Sequence, residues 1–284
     1  MKLSACITTR NRTKELDLCL NALWNSTVKP AHVIVSDDSP NQEVQQQNRC
    51  ITEKYPGTIY LTGPQRGVCP NRNNAVNAIP NTDLVCFIDD DVCVQPNFIA
   101  SALEQYQQMP SEDKNRVIIS GISQYPDGYE LKPGKLTFRG YFTSSEIPET
   151  VVIHATVFPR IFFYQEQWDE NIFFGYEDAE LCLRALKKGY KIIHDQNLKV
   201  FNRKNNGMLD YKVNINYLTQ CQIYSEAARL YVGIKRYKYI TPNYLKLFFF
   251  LFLYINHMTI YLLRKSSFLS WIPIIKKSNI HKLI

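Results

Sequence analysis

Over its first hundred positions the chain repeats one pattern: a short apolar run, then a polar cluster. Leu3 to Thr8 is the first run, and His32 to Ser36, Thr58 to Thr62 and Leu84 to Ile88 follow it. Between them, Leu16, Cys19, Leu20 and Leu23 recur at helical spacing from Thr13, a polar helical stretch begins at Asn41, and a further helix is expected from Asn71. Strands alternating with helices predict a parallel α/β sheet covered on both faces. Such sheets bind ligands outside the carboxyl ends of their strands. The clusters Thr8 to Arg12, Ser36 to Asp38 and Asp89 to Asp91 all lie at those ends. From Ser120 to Thr150 the pattern gives way to Gly, Pro and Tyr, which reads as loops over the site. A strand over Val151 to Phe158, a helix over Asp178 to Lys188 and a strand over Lys191 to Ile193 come next.

Composition narrows the class. Hydrophobic residues at 45% and charged residues at 21% are globular values, so a disordered or fibrous chain is excluded. The formal charge of +7 hides a split. No Asp or Glu follows Glu226, whereas Arg229, Lys235, Arg236, Lys238, Lys246, Arg264, Lys265, Lys276, Lys277 and Lys282 do. An acidic-to-neutral body therefore carries a basic tail. No stacking platform or binding motif accompanies those cations, so no nucleic-acid partner is expected. The eight cysteines form no CxxC pair and no finger spacing, and the opening residues carry no secretory signal. Both features point to a reducing cytoplasm.

The carboxylates carry the candidate chemistry. Three adjacent acids after a buried strand repel one another, and burial raises their pKa values unless a positive group compensates. Asp89-Asp90-Asp91 reads as a site for a hard divalent cation shared with phosphate oxygens, or as a helix N-cap. Asp38 reads as an acceptor for a nucleobase N–H or a ribose hydroxyl, or as turn chemistry. Glu177, Asp178 and Glu180 open a helix whose dipole favours anions. Asp178 suits a general base or a simple cap, and Glu180 with Arg184 at i, i+4 suits a structural brace.

Together these segments resemble an inverting glycosyltransferase of family 2 with the GT-A fold, a Rossmann-like, mostly parallel sheet flanked by helices. The family's opening strand and turn match ACITTRNR (5–12), and its nucleoside-binding Asp-Asp-Ser matches VIVSDDSP (33–40). Its Gly-x-x-x-x-Arg-Asn matches GVCPNRN (67–73), and its DxD-type metal motif matches FIDDDV (87–92). Its Glu-Asp catalytic motif matches GYEDAELCLRALKKG (175–189). The resemblance implies that Thr8 and Asp38 hold the nucleobase, with Arg10 and Arg12 beside it and Arg72 near the diphosphate. Asp90 would reach the donor sugar or ribose, and Asp91 would ligate Mn²⁺ or Mg²⁺ bridging the diphosphate. Asp178 would be the base, with Glu177 contacting acceptor or sugar. The implied donor is a UDP- or dTDP-sugar, the acceptor a glycan or lipid-linked hydroxyl, and the setting cell-surface polysaccharide synthesis. A catalytically inactive donor-binding homologue or scaffold is the other reading.

One departure bears on the metal. Many relatives carry a His after the strand that follows the catalytic helix, where NLKVFNRKNNG (197–207) has Asn202, a poorer ligand, and His194 is a possible substitute. His154 reads as structural, or as facing the acceptor. The domain expected over 1–226 divides into a nucleotide-sugar half to about residue 110 and an acceptor half from about 111. The tail, 227–284, is expected to be helical and to lie on the inner face of the cell membrane without spanning it. Leu247 to Leu263 is at the lower limit of a span, and Asn256 and His257 interrupt its centre. A buried helix against the body and a true span are the other two readings.

Overall fold

The computed structural model describes residues 1–203 and 218–283. The alternation expected from the sequence opens it: β1 (Leu3–Thr9), α1 (Thr13–Trp24), β2 (Val33–Asp37), α2 (Gln42–Glu53), β3 (Thr58–Thr62), α3 (Val68–Asn77) and β4 (Leu84–Asp89). After these come β5 (Val92–Val94), α4 (Phe98–Gln108), β6 (Val117–Gln124), β7 (Glu130–Leu131), β8 (Gly134–Leu136), β9 (Phe142–Ser144), β10 (Thr156–Pro159) and α5 (Phe162–Gln165). The chain then forms α6 (Glu177–Lys187), β11 (Lys191–Asn202), α7 (Gln220–Lys235), α8 (Tyr244–Arg264) and α9 (Trp271–Lys277).

Among the described residues, the main sheet runs β3-β2-β1-β4-β10-β6-β11-β5, with β7 on β6, and β8 pairs β9 separately. The β1, β2, β3 and β4 ladders are parallel, as is β11 with β6; β10 and β5 run against their neighbours. This is the mostly parallel, helix-flanked sheet of the GT-A fold.

Period-2 alternation divides each central strand between two cores. On β4, Leu84, Cys86 and Ile88 join Leu16 and Leu20 of α1 and Phe98 of α4. Val85 and Phe87 join Phe158, Phe163 and Trp168 on the other face. Two faces both sealed from water explain why these strands read as continuous apolar runs.

Three expectations shift. Ser120 to Gln124 belongs to β6 rather than to a loop, because Ile118, Ile119 and Ile122 are buried in the sheet. In place of a continuous strand from Val151, Ile153–Ala155 makes a short 3-10 turn before β10. The strand opening at Lys191 continues to Asn202, held by β6 and then by β5.

The tail grows out of the body without a break, since residues 226 and 227 lie inside α7. Tyr231 and Val232 of α7 enter the core that holds Phe158 and Trp168. Phe250, Tyr254, Met258 and Leu262, one residue per turn, bury a stripe of α8 against Ile223, Ala227 and Leu230 of α7. The two helices meet at Gly233, where a Cβ would stand 2.0 Å from Phe250 Cζ. Among the described residues α8 is the one helix long and apolar enough to cross a membrane.

Candidate active site

Strand order reverses at β1, which has β2 on one side and β4 on the other. The crevice outside the carboxyl ends of β1 and β4 is where an open α/β sheet takes its ligand. Register sets Thr8, half-buried, beside Ser36 on one neighbour and Asp89 on the other. Arg10 stands exposed at the strand's end. The two acids ending β2 differ. Asp37 is fully buried and accepts from Ser39 N–H (2.8 Å), Asn48 Nδ2 (2.8 Å) and Tyr60 OH (2.9 Å), so it is a structural anchor. Asp38 accepts from Gln65 N–H at 2.9 Å. Burial raises its carboxyl, against the pull of that N–H and of Arg10. Asn11 N–H donates to Ser39 Oγ at 2.8 Å, tying the β1 turn to the β2 turn.

At the end of β4 each acid has its own environment. Asp89 faces His154 Nδ1 at 3.1 Å and accepts from Arg72 Nη2 at 3.4 Å. Burial would raise its carboxyl, but His154 and Arg72 outweigh that and hold it below the ordinary range. Asp90 accepts from Thr9 Oγ1 and from Arg12 Nη1, both at 2.8 Å. Its burial still pushes the carboxyl up to about 6. Arg12 Nη1 also reaches Asp91 Oδ2 at 3.0 Å, so this arginine bridges two acids of the turn. Arg203 Nη2 donates to the Asp90 carbonyl at 2.8 Å and its backbone N–H to the Asp91 carbonyl at 3.2 Å, clamping the turn from β11.

The second acidic cluster is aimed by backbone. Gly175 (φ +82°) and Tyr176 (φ +63°) are consecutive left-handed residues immediately before α6. A bulky residue held there is a strained arrangement that functional sites retain. Phe142 packs on the Tyr176 ring at 4.9 Å. Glu177 is buried and accepts from Arg72 Nη1 at 3.0 Å. Asp178, half-buried, accepts the Ala179 N–H on Oδ1 at 2.7 Å. Burial, with the Glu177 charge next to it, pushes the Asp178 carboxyl up to about 7. Glu180 is fully buried and paired with Arg184 at 2.7 Å and with Lys235 at 2.6 Å, which is the structural brace read from its spacing.

Arg72 joins the two clusters. It is buried, contacts Asp89 and Glu177 at once, and lies 4.8 Å above the Trp168 ring. Asn73, next in the motif, donates to the Trp168 carbonyl (3.0 Å) and accepts its N–H (2.9 Å), fixing that ring under the arginine. Thr9, His154, Trp168 and Arg203 were not singled out for these roles in the sequence. Each acts on a partner from 65 to 113 positions away, or less directly through Asn73, so no local spacing signals it.

Among the described residues no group of three His, Cys, Asp or Glu side chains could hold a metal alone. Hard cations that carry a diphosphate need only one or two carboxylates, with phosphate oxygens and water completing the shell. Asp91, on the same turn as Asp90, is one such carboxylate, its Oδ2 facing Arg12 Nη1 at 3.0 Å. Asn202 ends β11 beside Val92, next to this turn. His194 is exposed near the other end of β11, beside Ser120. Residues 204–207 of the NLKVFNRKNNG segment lie outside the described residues.

The sequence profile of glycosyl transferase family 2 matches residues 4–167 of the 284. The chain belongs to glycosyl transferase family 2. Solved structures with the same fold include GalNAc-T7 with UDP, GalNAc and Mn²⁺, at 13% identity and TM-score 0.62, covering 82% of this chain and 51% of that one. S. aureus TarS matches at 15% identity and TM-score 0.55, over 84% of this chain and 44% of that one. Its 1–349 form in complex with UDP-GlcNAc matches at 16% and 0.54, over 83% and 67%. This family 2 chain thus spans about half the length of the first two. No protein of curated function matches it.

Proposed function

We propose that the chain is an inverting, metal-dependent glycosyltransferase that moves a sugar from a UDP- or dTDP-sugar to a hydroxyl of a glycan or lipid-linked acceptor, in cell-surface polysaccharide synthesis. The observation that carries this reading is Arg72. By touching Asp89 and Glu177 together it makes one site of a donor-side acid turn and an acid pair on α6. The bound ligands of the fold neighbours, UDP, GalNAc and UDP-GlcNAc, support the donor class.

The acceptor oxygen bonds to the anomeric carbon while the bond from that carbon to the diphosphate breaks. Its proton passes to Asp178, and a single displacement inverts the centre. A carboxyl held at about 7 is matched to taking a proton near neutral pH. Glu177, fixed by Arg72, would orient the acceptor or sugar, and Asp90, fixed by Thr9 and Arg12, the donor's ribose or sugar. A divalent cation held by Asp91 would act as a Lewis acid on the leaving diphosphate. Thr8, Asp38 and Arg10 would receive the nucleobase.

The test is a panel of nucleotide-sugars incubated with Mn²⁺, with product anomers read by NMR. One donor should be transferred or slowly hydrolysed with inversion; retention, or no turnover of any donor with every acceptor class, would count against the reading. Two variants separate the donor contacts. Asp91→Ala is expected to remove the Mn²⁺-dependent part of UDP affinity, read by calorimetry with and without the ion. Asp38→Ala is expected to weaken uridine binding about tenfold even without metal, since it deletes one charge-assisted hydrogen bond.

A further inference from the structure

The outward side of α8 is apolar as well as the buried one. Leu245, Phe248, Phe252, Ile255, Ile260 and Leu263 are exposed, Leu245 at 68%, on the side of the helix opposite Phe250, Tyr254, Met258 and Leu262. The next segment continues the surface with Leu269 (77% exposed), Ile272 and Ile275. A helix that faces water normally carries polar residues on that side. Here the one strongly polar side chain in the middle of the face, Asn256, turns its Nδ2 back onto the Phe252 carbonyl at 2.7 Å. Contiguous apolar surface of this kind marks an interaction site.

We infer that α8 and α9 form an in-plane docking platform for an anionic lipid surface. Charge decides the occupant. Lys246 lies in the first turn of α8, Arg264 and Lys265 end the apolar face, and Lys276, Lys277 and Lys282 lie at the α9 end. With no acid after Glu226, a second copy pressed on this patch would meet like charge. An apolar wedge rimmed by cations has the two signals that stable peripheral binding requires, and each cation near an anionic surface strengthens it about fivefold. Spanning is opposed by the other face of α8, which covers the Arg229–Glu226 pair at 2.6 Å and bonds the Glu226 carbonyl through Tyr254 OH at 3.0 Å. That stripe would have to leave the body for the helix to cross.

A chain of contacts runs from the platform to the acids. His257 Nδ1 of α8 and Tyr141 OH, on the β8–β9 hairpin, lie 3.2 Å apart. Phe142, the next residue, packs on Tyr176, which precedes Glu177 and Asp178. A lipid-linked acceptor would reach the acids from the same surface; that clause rests on the transferase reading, the docking itself does not.

Co-sedimentation of the full chain with phosphatidylcholine vesicles, with and without phosphatidylglycerol, tests the proposal without any nucleotide. Wild type should pellet with the anionic vesicles and be released by high salt. Phe248→Glu with Phe252→Glu should weaken binding by more than about tenfold, because two exposed aromatic anchors are lost. Lys276→Glu with Lys282→Glu should do so through charge. Both variants alter exposed side chains, so thermal midpoint and UDP affinity should stay at wild-type values, which separates loss of docking from loss of fold or donor site. A wild type that stays in the supernatant, or that binds neutral vesicles equally well, overturns the inference. So does a dimer in sedimentation equilibrium that the Phe248 and Phe252 variant abolishes.

Discussion

Asp178→Asn is expected to lower transfer by about 10²–10⁴-fold, the usual contribution of a positioned base, while UDP affinity stays within a few-fold of wild type. Asn keeps the size of the side chain and part of its hydrogen bonding to the Ala179 N–H, but it cannot take a proton. The pH profile carries the second half of this expectation. Burial and Glu177 raise the carboxyl to about 7, so below that pH the base is protonated and transfer should climb as pH rises through 7. The Asn variant should lose that limb. Stability should move the opposite way. A carboxyl raised in the fold contributes stability that is complete below its unfolded pKa and is lost as pH rises towards 7. If the variant keeps both its rate and its pH limb, Glu177 becomes the base.

Arg72→Ala is expected to destabilise the fold by about 3–5 kcal/mol, the cost of leaving a buried charge without its partner. Arg72 and Glu177 are both buried, and among the described residues Glu177 Oε2 has no hydrogen-bond partner, so removing the arginine leaves the carboxylate without its ion pair. The Trp168 ring loses its cation in the same step. Urea unfolding should show a lower midpoint at an unchanged slope. Arg72→Lys should restore only part of the loss, because an ammonium cannot present a fork to Asp89 and Glu177 together. A loss below about 1 kcal/mol would mean that water reaches both acids and that the two clusters are not bound into one unit.

The fold was legible where one principle acted alone. Strands β1, β2 and β4 are buried on both faces, so apolar runs of five to seven residues could mean little else, and polar clusters marked their carboxyl ends. Helix α6 showed itself by amphipathic spacing and by the Glu180–Arg184 pair, which depends on contacts only four positions apart. The segment from Ser120 to Thr150 was harder. Gly121 and Gly134 lie within its strands, so composition argued for loops, while pairing of β6 to β11 and β10 and of β8 to β9 decided otherwise.

The chemistry divides along the same line. Motif order along the chain was enough to indicate the family, and carboxylates at strand ends were read locally as candidates. Their states were not. Asp37 and Asp38 are adjacent in sequence, yet Asn48 and Tyr60 make the first an anchor and leave the second beside Gln65. Asp89 is held low by His154 and Arg72, while Asp178 is raised by burial and by Glu177. Partners of this kind come from other elements, and an electrostatic environment is a property of distance in space rather than along the chain. The tail shows the same limit. An apolar run with flanking cations was visible in the residues, but which side of α8 is covered depended on where α7 lies, and so the uncovered side appeared only in the tertiary structure.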